Sequence, residues 1–489
     1  MNILFVSSEV EPFSKTGGLA DVSGSLPKAI KALGHDVRVV TPQYRNVDVK
    51  KNILLVTDGI GEIVQTVGNK TTSATIMLSS IGKERNETPV YFVANKYYFD
   101  RNGLYYDMDR SADYPDNDER YIFFCKVVLE LCKRINFRPD IIHCNDWQTA
   151  MLCPYIKLFY ANDSFYANTK TVFTVHNLAY QGAFSKNAFF NTGLPHWTYD
   201  KEFLEFFGTV NFMKAGIVFA DAITTVSKRY AEEICSSEEF GNKLEGLLRK
   251  KKNILFGILN GIDSQIWNPA TDKLIPFRYD MYNLEAKFKN KEALIQKFRL
   301  PFRWNVPLIG IISRLVDQKG FDIIAGMVHQ LLQHNVQLMI LGSGENKYER
   351  MFSELQKTYP DKVGTYIGFS NELAHLIEAG SDMFLMPSKY EPCGLNQIYS
   401  LKYGTVPIVR ATGGLDDTVE NVSENGETGT GFKFWNYTSS DLYNTMMRAL
   451  AFYQYRPDVW RYIVLRGMAK DNSWEHSAKD YETLYKSLV

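Results

Sequence analysis

Short apolar runs alternate with helical patterns along most of the chain, and this alternation restricts the fold more than any other feature of the sequence. Ile3–Val6 and Val37–Val40 enclose a helical stretch that ends at Gly34. The same strand–helix–strand pattern begins again at Leu308. Strands that are joined by helical crossovers form parallel sheets, so the chain is predicted to contain two α/β domains.

The predicted domains are separated by a region without strand signals. Residues 264–305 are rich in charge and carry Pro269, Pro276 and Pro301. We therefore predict one domain over 1–263, a boundary region over 264–305, a second domain over 306–460 and closing helices over 461–489. Within the first domain, short strands between Asn52 and Val93, with turns such as Asp58-Gly59, predict an antiparallel insertion.

Composition excludes several classes of partner. Lys+Arg and Asp+Glu both number 55, so the net charge is zero and neither a nucleic-acid nor a membrane-surface partner is indicated. The six cysteines occur singly without a CxxC pair, which is typical of a reducing compartment. No apolar run reaches the length of a signal peptide core or a membrane span, and a cytoplasmic location is expected.

The stretch from Ser388 to Asp417 carries the strongest chemical signal. Glu391 follows the apolar run Met383–Met386, a helical pattern begins at Gly394, and Gly413-Gly414 follows the next strand. Amides at helix starts and glycine turns bind phosphate, and a carboxylate at a strand end lies where open α/β sheets bind ligands. The stretch suits a ligand with a sugar and a diphosphate; the alternative is a helix-capping acid beside a packing turn.

Polar residues also follow other predicted strands in both halves of the chain. They are Lys15, Asp21, Asp146 and His176 in the first half and Arg314 and Lys319 in the second. The carboxyl ends of parallel strands share one edge, so each half should carry its set on one rim, and the two rims would meet in an inter-domain cleft if they face each other. Solvated surface cations, a helix cap and a core histidine are the alternative interpretations.

The sequence does not indicate a metal site or a classical nucleotide motif. Asp107-Met108-Asp109 matches a short metal-binding pattern, but in an acidic loop it is better interpreted as solvated. Gly342-Ser343-Gly344 lacks the third glycine of GxGxxG, and no phosphate-binding loop of the GxxxxGK[ST] type occurs. We expect no metal.

Taken together, the strand-end motifs resemble those of the bacterial glycogen synthase and plant starch synthase family. The matches occur in the family's order over most of the chain, at Lys15-Thr16-Gly17-Gly18-Leu19-Ala20-Asp21-Val22, Asn145-Asp146-Trp147, Thr174-Val175-His176-Asn177-Leu178, Asn260-Gly261-Ile262-Asp263, Ser313-Arg314-Leu315, Gln318-Lys319-Gly320, Tyr390-Glu391-Pro392-Cys393-Gly394-Leu395 and Thr412-Gly413-Gly414-Leu415. One departure is Lys389-Tyr390, where the family usually has Arg-Phe.

The resemblance implies a GT-B fold, which has two Rossmann-like domains around an active-site cleft and a last helix that crosses back to the first domain. It also implies transfer of glucose from ADP-glucose to the non-reducing end of an α-1,4-glucan with retention of configuration. Enzymes of this type need no metal or other cofactor. The expected partners are therefore a nucleotide sugar and a glucan such as glycogen, and the oligomeric state stays open.

The resemblance also assigns roles to individual residues. Lys15 matches a donor-binding lysine, Arg314 and Lys319 match the cations that hold the pyrophosphate, and Glu391 and His176 match groups beside the transferred glucose. Asp21, Asp146 and Asn260 match positions near the sugar or the wall of the site. The remaining positions expected to contact the nucleotide sugar are Gly17, Gly18, Tyr390, Cys393, Gly394, Leu395, Thr412, Gly413 and Gly414.

Two other functions are also compatible with these motifs. A related GT-B enzyme could use UDP-glucose to make sucrose-type or trehalose-type products. A non-catalytic glucan-binding regulator could share the fold, although the presence of Lys15, Arg314, Lys319 and Glu391 argues against it.

Overall fold

The computed structural model describes residues 1–49, 55–56, 59–83 and 87–489 and divides into two compact units. The first unit comprises Met1–Gly261 together with Trp474–Val489, and the second comprises Ile262–Ser473. Each unit is built around its own α/β sheet. The strand–helix alternation of the sequence is thus present twice.

In its described residues, the first unit has a large mixed sheet and two small ones. Its largest sheet has the order β15-β14-β10-β9-β1-β2-β6-β5-β3, with β4 paired to β5. The small sheets have the orders β11-β13-β12 and β7-β8. The strands are β1 Asn2–Val6, β2 Asp36–Pro42, β3 Leu55–Val56, β4 Ile63–Val67, β5 Lys70–Ile81, β6 Thr88–Ala94, β7 Tyr106–Asp107, β8 Ala112–Asp113, β9 Ile141–Asn145, β10 Lys170–Val175, β11 Ala183–Ser185, β12 Glu205–Phe206, β13 Thr209–Asn211, β14 Ala222–Thr225 and β15 Leu255–Gly257.

Helices cover this sheet and connect its parallel strands. They are α1 Gly18–Ala32, α2 Lys96–Phe99, α3 Asn117–Arg134, α4 Leu152–Leu158, α5 Ala188–Thr192, α6 Phe212–Phe219, α7 Lys228–Glu233, α8 Glu238–Gly241 and α9 Glu245–Lys250, with 3-10 turns at His196–Thr198 and Lys252–Ile254. Helix α3 is buried over most of its surface because it packs against β4, α4 and α5.

The direction of the strand order in this sheet reverses beside β1. Strand β1 pairs in parallel with β2 on one side and with β9 on the other. This is a topological switch point, and ligands of open α/β sheets bind outside the carboxyl ends of the strands that flank it. The prediction of an antiparallel insertion is confirmed by the antiparallel pairing of β5 with β6 and of β4 with β5. Asn52 and Asp58 lie outside the described residues.

The second unit has a fully parallel sheet of order β18-β17-β16-β19-β20-β21. This is the Rossmann order, with its switch point between β16 and β19. The strands are β16 Leu308–Ile312, β17 Gln337–Gly342, β18 Val363–Ile367, β19 Met383–Met386, β20 Val406–Arg410 and β21 Phe432–Phe434. The helices are α10 Glu285–Lys297, α11 Phe321–Ala325, α12 Val328–Leu331, α13 Asn346–Thr358, α14 Asn371–Gly380, α15 Asn396–Tyr403, α16 Gly413–Thr418, α17 Ser439–Tyr455 and α18 Pro457–Ala469, with a 3-10 turn at Asp317–Lys319.

The segment 264–305 is not a linker in the structure but part of the second unit. Its helix α10 packs against α14, and the buried Lys291 Nζ donates to Asp382 Oδ2 at 2.6 Å. Its Asp272 Oδ2 bonds His375 Nδ1 at 2.7 Å. The charged and proline-rich sequence of this segment predicted a domain boundary. The sequence pattern alone does not show that these charges form pairs inside the second unit.

The last helix, α19 Trp474–Leu488, belongs to the first unit and packs against α1. Its Tyr485 hydroxyl bonds Nδ1 of the buried His143 on β9 at 2.7 Å. His143 Nε2 bonds Thr174 on β10 at 2.6 Å. None of the helices in the described residues is long and apolar enough to cross a membrane.

Candidate active site

In the first unit, the loop after β1 is held by a buried carboxylate. Glu9 Oε2 accepts the backbone N–H of Thr16 at 2.5 Å and of Gly17 at 3.3 Å, and Glu9 Oε1 accepts the Thr16 hydroxyl at 2.6 Å. The Tyr105 hydroxyl donates to the same Oε1 at 2.7 Å. Residues 15–18 are exposed, and a Cβ on Gly17 would meet no atom within 4 Å. The loop therefore presents open backbone to solvent while Glu9 fixes its inner side.

Lys15 on this loop forms an exposed ion pair. Its Nζ lies 2.6 Å from Asp21 Oδ1 in the first turn of α1, and the two side chains are 43% and 25% exposed. Burial raises the pKa of Asp21, and the attraction of Lys15 opposes this rise. Exposed pairs contribute at most about 1 kcal/mol, so an anionic ligand can recruit Lys15 at small cost.

Residues at the ends of β9 and β10 hold His176 in place. His176 Nε2 bonds Asn145 Oδ1 at 2.9 Å, and Asn145 Nδ2 in turn donates to Val6 O at 3.0 Å. The backbone N–H of His176 donates to Asp146 Oδ1 at 2.8 Å, and Asp146 itself has a left-handed φ of 57°. The carboxylate of Asp146 thus fixes the loop that carries His176 and does not cap a helix.

These contacts set the protonation of both groups. Burial lowers the pKa of His176 to about 3, so the imidazole is neutral near pH 7. Because the Asn145 amide nitrogen is directed to Val6, its oxygen faces the imidazole, and His176 Nε2 carries the proton. Burial also raises the pKa of Asp146 to about 7, although backbone N–H groups of His176 and Asn177 stabilise its charged form. A neutral imidazole suits hydrogen bonding to a hydroxyl group.

Asn260 follows β15 and is buried. Its Oδ1 atom has no hydrogen-bond partner among the described residues. A buried acceptor without a partner is unusual, and a ligand hydroxyl could satisfy it.

In the second unit, an ion pair with a buried carboxylate lies at the switch point between β16 and β19. Lys319 Nζ donates to Glu391 Oε2 at 2.6 Å, and the Ser388 hydroxyl donates to the same oxygen at 3.0 Å. The side chains of Lys319 and Glu391 are 18% and 8% exposed. This places a cation and a carboxylate side by side at the sheet edge where ligands are expected.

The loops that carry this pair are fastened to each other. The Lys389 N–H donates to Gln318 O at 2.8 Å, and Gln318 Nε2 donates to Tyr390 O at 3.1 Å. Gly320 has φ of 79°, and a Cβ there would lie 2.1 Å from Pro387 O. Glycine is required at this position because the two loops approach so closely.

Arg314 follows β16, and its side chain is exposed. Among the described residues its guanidinium has no hydrogen-bond or ion-pair partner. It is therefore available to an anion at the same sheet edge, where bidentate charge-assisted bonds favour phosphate.

The amides before α15 are available to an anion. The helix begins at Asn396, two residues later than the sequence pattern predicts, and Gly394 has φ of 71°. The backbone N–H groups of Gly394, Leu395 and Asn396 have no acceptor within the described part of the chain. Cys393, which precedes them, is buried. These amides and Lys319 lie where the sequence predicts a phosphate site, and that assignment stays a prediction.

The prediction that the Gly413-Gly414 turn offers free amides to a phosphate is wrong for Gly414. The Gly414 N–H donates to Glu391 O at 3.0 Å and to Pro392 O at 3.1 Å. A Cβ on Gly413 would lie 2.0 Å from Glu391 O. Thr412 is buried beside them. These residues pack directly on the Glu391 loop. Glycine is needed here because the two backbone segments approach each other so closely.

The acidic loop of Asp107 and Asp109 uses its carboxylates locally. Asp107 Oδ1 accepts the backbone N–H groups of Asp109 and Arg110 at 3.0 and 3.3 Å, and Asp109 Oδ1 accepts Asn102 Nδ2 at 2.9 Å. No cluster of three or more His, Cys, Asp or Glu suited to a metal occurs among the residues that the structure describes. The absence of a metal from the reaction stays a prediction.

Sequence reasoning missed three residues at these sheet edges. Glu9 carries no motif, and Ser388 begins the stretch with the strongest chemical signal but was given no role there, although both lie within a few residues of a strand end. Phe369 follows β18 and is 85% exposed. Its signal was a large apolar residue in a polar turn at the ligand edge of the sheet.

Comparison with known families agrees with this architecture. Residues 2–250 match the model described as starch synthase catalytic domain, and residues 294–456 match glycosyl transferases group 1. The chain is 45% identical over 491 residues to a glycogen synthase of Thermotoga maritima, covering 100% of this chain and 99% of that protein. It is 46% identical over 489 residues to one of Moorella thermoacetica, covering 100% and 97%.

Solved structures match over the full length as well. The catalytic domain of starch synthase IV from Arabidopsis thaliana, bound to ADP and acarbose, has a TM-score of 0.90 at 31% identity and covers 99% of each chain. Sucrose-phosphate synthase from Thermosynechococcus elongatus has a TM-score of 0.56 at 18% identity, covering 99% of this chain and 98% of that one, and it shares the fold alone. The predicted GT-B fold with two Rossmann-like domains is confirmed, and the chain belongs to the family of bacterial glycogen synthases and plant starch synthases.

Proposed function

We propose that the protein is a glucosyltransferase that extends an α-1,4-glucan such as glycogen with glucose from ADP-glucose, with retention at the anomeric carbon. Its relatives at about 45% identity are named glycogen synthases. The observation that carries the chemistry is the Lys319–Glu391 pair, whose carboxylate is buried, beside amides that have no acceptor among the described residues. It combines a carboxylate for a sugar with positive groups for a diphosphate.

The diphosphate is assigned to the cations and amides of the second unit. Lys319 and the exposed Arg314 supply charge, and the N–H groups of Gly394, Leu395 and Asn396 supply neutral donors. Each charge-assisted bond is worth about 1.5–3 kcal/mol, and such bonds gain strength as charge develops on the leaving ADP. We also assign Lys15 to donor binding, because its loop presents a cation and open backbone to solvent.

The glucose is assigned to Glu391 and His176. The carboxylate of Glu391 favours the positive charge that develops on the sugar in the transition state. His176 is neutral and its loop is fixed by Asp146, so Nδ1, which carries no proton, accepts a hydrogen bond from a sugar hydroxyl. Asp21 and Asn260 are assigned to the wall of the site, with Asn260 offering its unpaired Oδ1.

The transfer is proposed as a displacement on one face of the sugar. The bond between the anomeric carbon and the ADP oxygen breaks as the acceptor 4-oxygen attacks from the same side. The proton of the 4-hydroxyl passes to the departing phosphate, which is assigned to Lys319 and Arg314. The new glycosidic bond therefore keeps the configuration of the donor.

The adenine base is assigned to Phe369. This ring is 85% exposed and follows β18, on the same sheet edge as Lys319 and Arg314. An exposed aromatic ring offers a flat surface on which a base stacks, and such stacking contributes about 1–3 kcal/mol.

No metal is assigned to the reaction, because lysine and arginine supply the positive charge that a metal would otherwise provide and the amides add neutral hydrogen-bond donors. A cytoplasmic location is proposed as well. All six cysteines are buried free thiols, as expected in a reducing compartment.

A steady-state assay with glycogen and either ADP-glucose or UDP-glucose tests the function. We expect glycogen-dependent release of ADP, with a higher kcat/KM for ADP-glucose than for UDP-glucose. Preference for UDP-glucose would favour the alternative enzyme, and glycogen binding without nucleotide release would favour the non-catalytic regulator. The comparisons with known proteins favour neither alternative.

Glu391→Gln tests the central assignment. We expect a kcat at least about a hundredfold lower with a small change in ADP affinity, because the charge acts in the transition state. Glu378→Gln is a matched control. Glu378 is also buried in this unit and also accepts a serine hydroxyl, from Ser400 at 2.8 Å, and burial raises its pKa to about 8. A near-normal kcat in Glu391→Gln would refute the role.

A further inference from the structure

We propose that Gln397 is a positioning residue that holds the donor-binding amides in their working direction; this inference rests on the proposed function. Gln397 lies in the first turn of α15 and is fully buried. Its Nε2 donates to Cys393 O and to Gly394 O, both at 2.9 Å, and to Thr418 Oγ1 at 3.1 Å. One side-chain amide therefore holds two consecutive carbonyls of the turn that precedes the helix.

These two bonds determine where the neighbouring N–H groups are directed. In a trans peptide the C=O and N–H groups lie on opposite sides of the plane. Because the carbonyls of Cys393 and Gly394 are directed to Gln397, the N–H groups of Gly394 and Leu395 are directed away from it. Neither N–H group has an acceptor within the described residues, and both are assigned to the diphosphate.

The same side chain connects this turn to the second glycine turn. The Thr418 hydroxyl, which accepts from Gln397, donates to Gly414 O at 2.5 Å. The Gly414 N–H donates to Glu391 O at 3.0 Å. A continuous set of polar contacts thus runs from Gly394 through Gln397, Thr418 and Gly414 to the proposed catalytic carboxylate residue.

The packing leaves the turn little room for another arrangement. Gly394 has φ of 71°, and a Cβ there would lie 2.4 Å from Gln397 Oε1. That oxygen is buried and has no hydrogen-bond partner among the residues that the structure describes. A buried oxygen without a hydrogen bond lowers stability. The presence of an amide at this position is therefore best explained by the hydrogen bonds that its nitrogen donates.

The chain offers a closely matched control in Gln337, at the start of β17. It is also buried, and its Nε2 donates to two carbonyls, Pro301 O at 3.0 Å and Asp361 O at 3.1 Å. Its Oε1 also lacks a hydrogen-bond partner in the described part of the chain. It differs from Gln397 in lying at the amino ends of the strands, on the opposite edge from the proposed site.

The test compares Gln397→Met with Gln337→Met, since methionine keeps the length of the side chain and removes its donors. We expect Gln397→Met to raise the Kd for ADP and the KM for ADP-glucose by about tenfold, whereas Gln337→Met leaves both unchanged. Both variants should show a lower Tm. A purely structural role would reduce the amount of folded enzyme, and with it the apparent kcat, but would leave KM unchanged.

A second pair of variants covers failure of Gln397→Met to fold. Thr418→Val removes the hydroxyl that links the two turns, and Thr418→Ser keeps it. We expect a rise of about threefold in the ADP Kd for the valine variant and recovery with serine. Equal Kd values in all variants and the wild type would overturn the inference.

Hydrogen exchange separates this inference from the proposed function. In the ligand-free protein, Gln397→Met should speed exchange in peptides that span 391–418, where the Gly414 N–H bonds Glu391 O, and Gln337→Met should not. If the wild type fails to transfer glucose, the proposed function fails, yet exchange still decides whether Gln397 holds the turns. Unchanged exchange in 391–418 would refute the positioning role even in an active enzyme.

Discussion

Loss of Lys319 should destabilise the second unit more than loss of the Glu391 charge, although both changes break the same ion pair. In Lys319→Met, a carboxylate that is 8% exposed keeps only the Ser388 hydroxyl among its described partners, so we expect a cost of about 3 kcal/mol. In Glu391→Gln, the amide oxygen still accepts from Lys319 and Ser388, and the cost should be about 1 kcal/mol. The double variant contains neither charge and should lose about 2 kcal/mol.

Thermal and denaturant unfolding of the three variants measures this asymmetry through a double-mutant cycle. From these values the coupling between Lys319 and Glu391 is about 2 kcal/mol. The control is the exposed pair Lys297–Glu372, at 3.1 Å with side chains 45% and 64% exposed, for which we expect coupling below about 0.5 kcal/mol. Equal costs for the two single variants, or coupling no larger than in the control, would refute the reasoning.

Three further outcomes are expected. Because burial raises the pKa of Asp146 to about 7, the folded protein keeps a proton that the unfolded chain releases above about pH 4, and this contribution to stability is lost as pH rises towards 7. Asp146→Asn cannot ionise there, so its Tm relative to wild type should rise between pH 5 and pH 8; a constant difference would contradict the burial argument. Activity should be unchanged by EDTA, and its loss would support a metal site in the loop of Asp107. Glu9→Gln should raise the KM for ADP-glucose about tenfold, because an amide cannot accept all four donors now shared by the carboxylate; an unchanged KM would separate Glu9 from ligand binding.

The sheet and the edge that carries the proposed site could be predicted because both depend on local patterns. Buried strand runs are continuous in apolar residues, as in Met383–Met386, and the polar residue that follows each run is at once a candidate for the ligand edge. Glu391 and Lys319 were predicted in this way, and the structure brings their charged atoms within 2.6 Å.

The remaining features depend on contacts between segments distant in sequence. Gly413-Gly414 has the composition of an anion-binding turn, but the carbonyl oxygen of Glu391 occupies the Gly414 amide. Glu9 has no motif, and its role follows from four hydrogen-bond donors that meet at one carboxylate. The charges of 264–305 suggested a solvated boundary because no local pattern shows that Lys291 pairs with Asp382.

The return of α19 to the first unit has a consequence for synthesis on the ribosome. Its buried Trp474, Tyr481 and Tyr485 complete the core of a unit whose other residues lie before Ile262. Translation supplies this helix only after the whole second unit has emerged. The second unit can therefore reach its folded state while the first still exposes the apolar surface that α19 will cover. The first unit is thus the first to be synthesised but the last to complete its fold. Its exposed apolar surface is prone to aggregation until α19 has been translated.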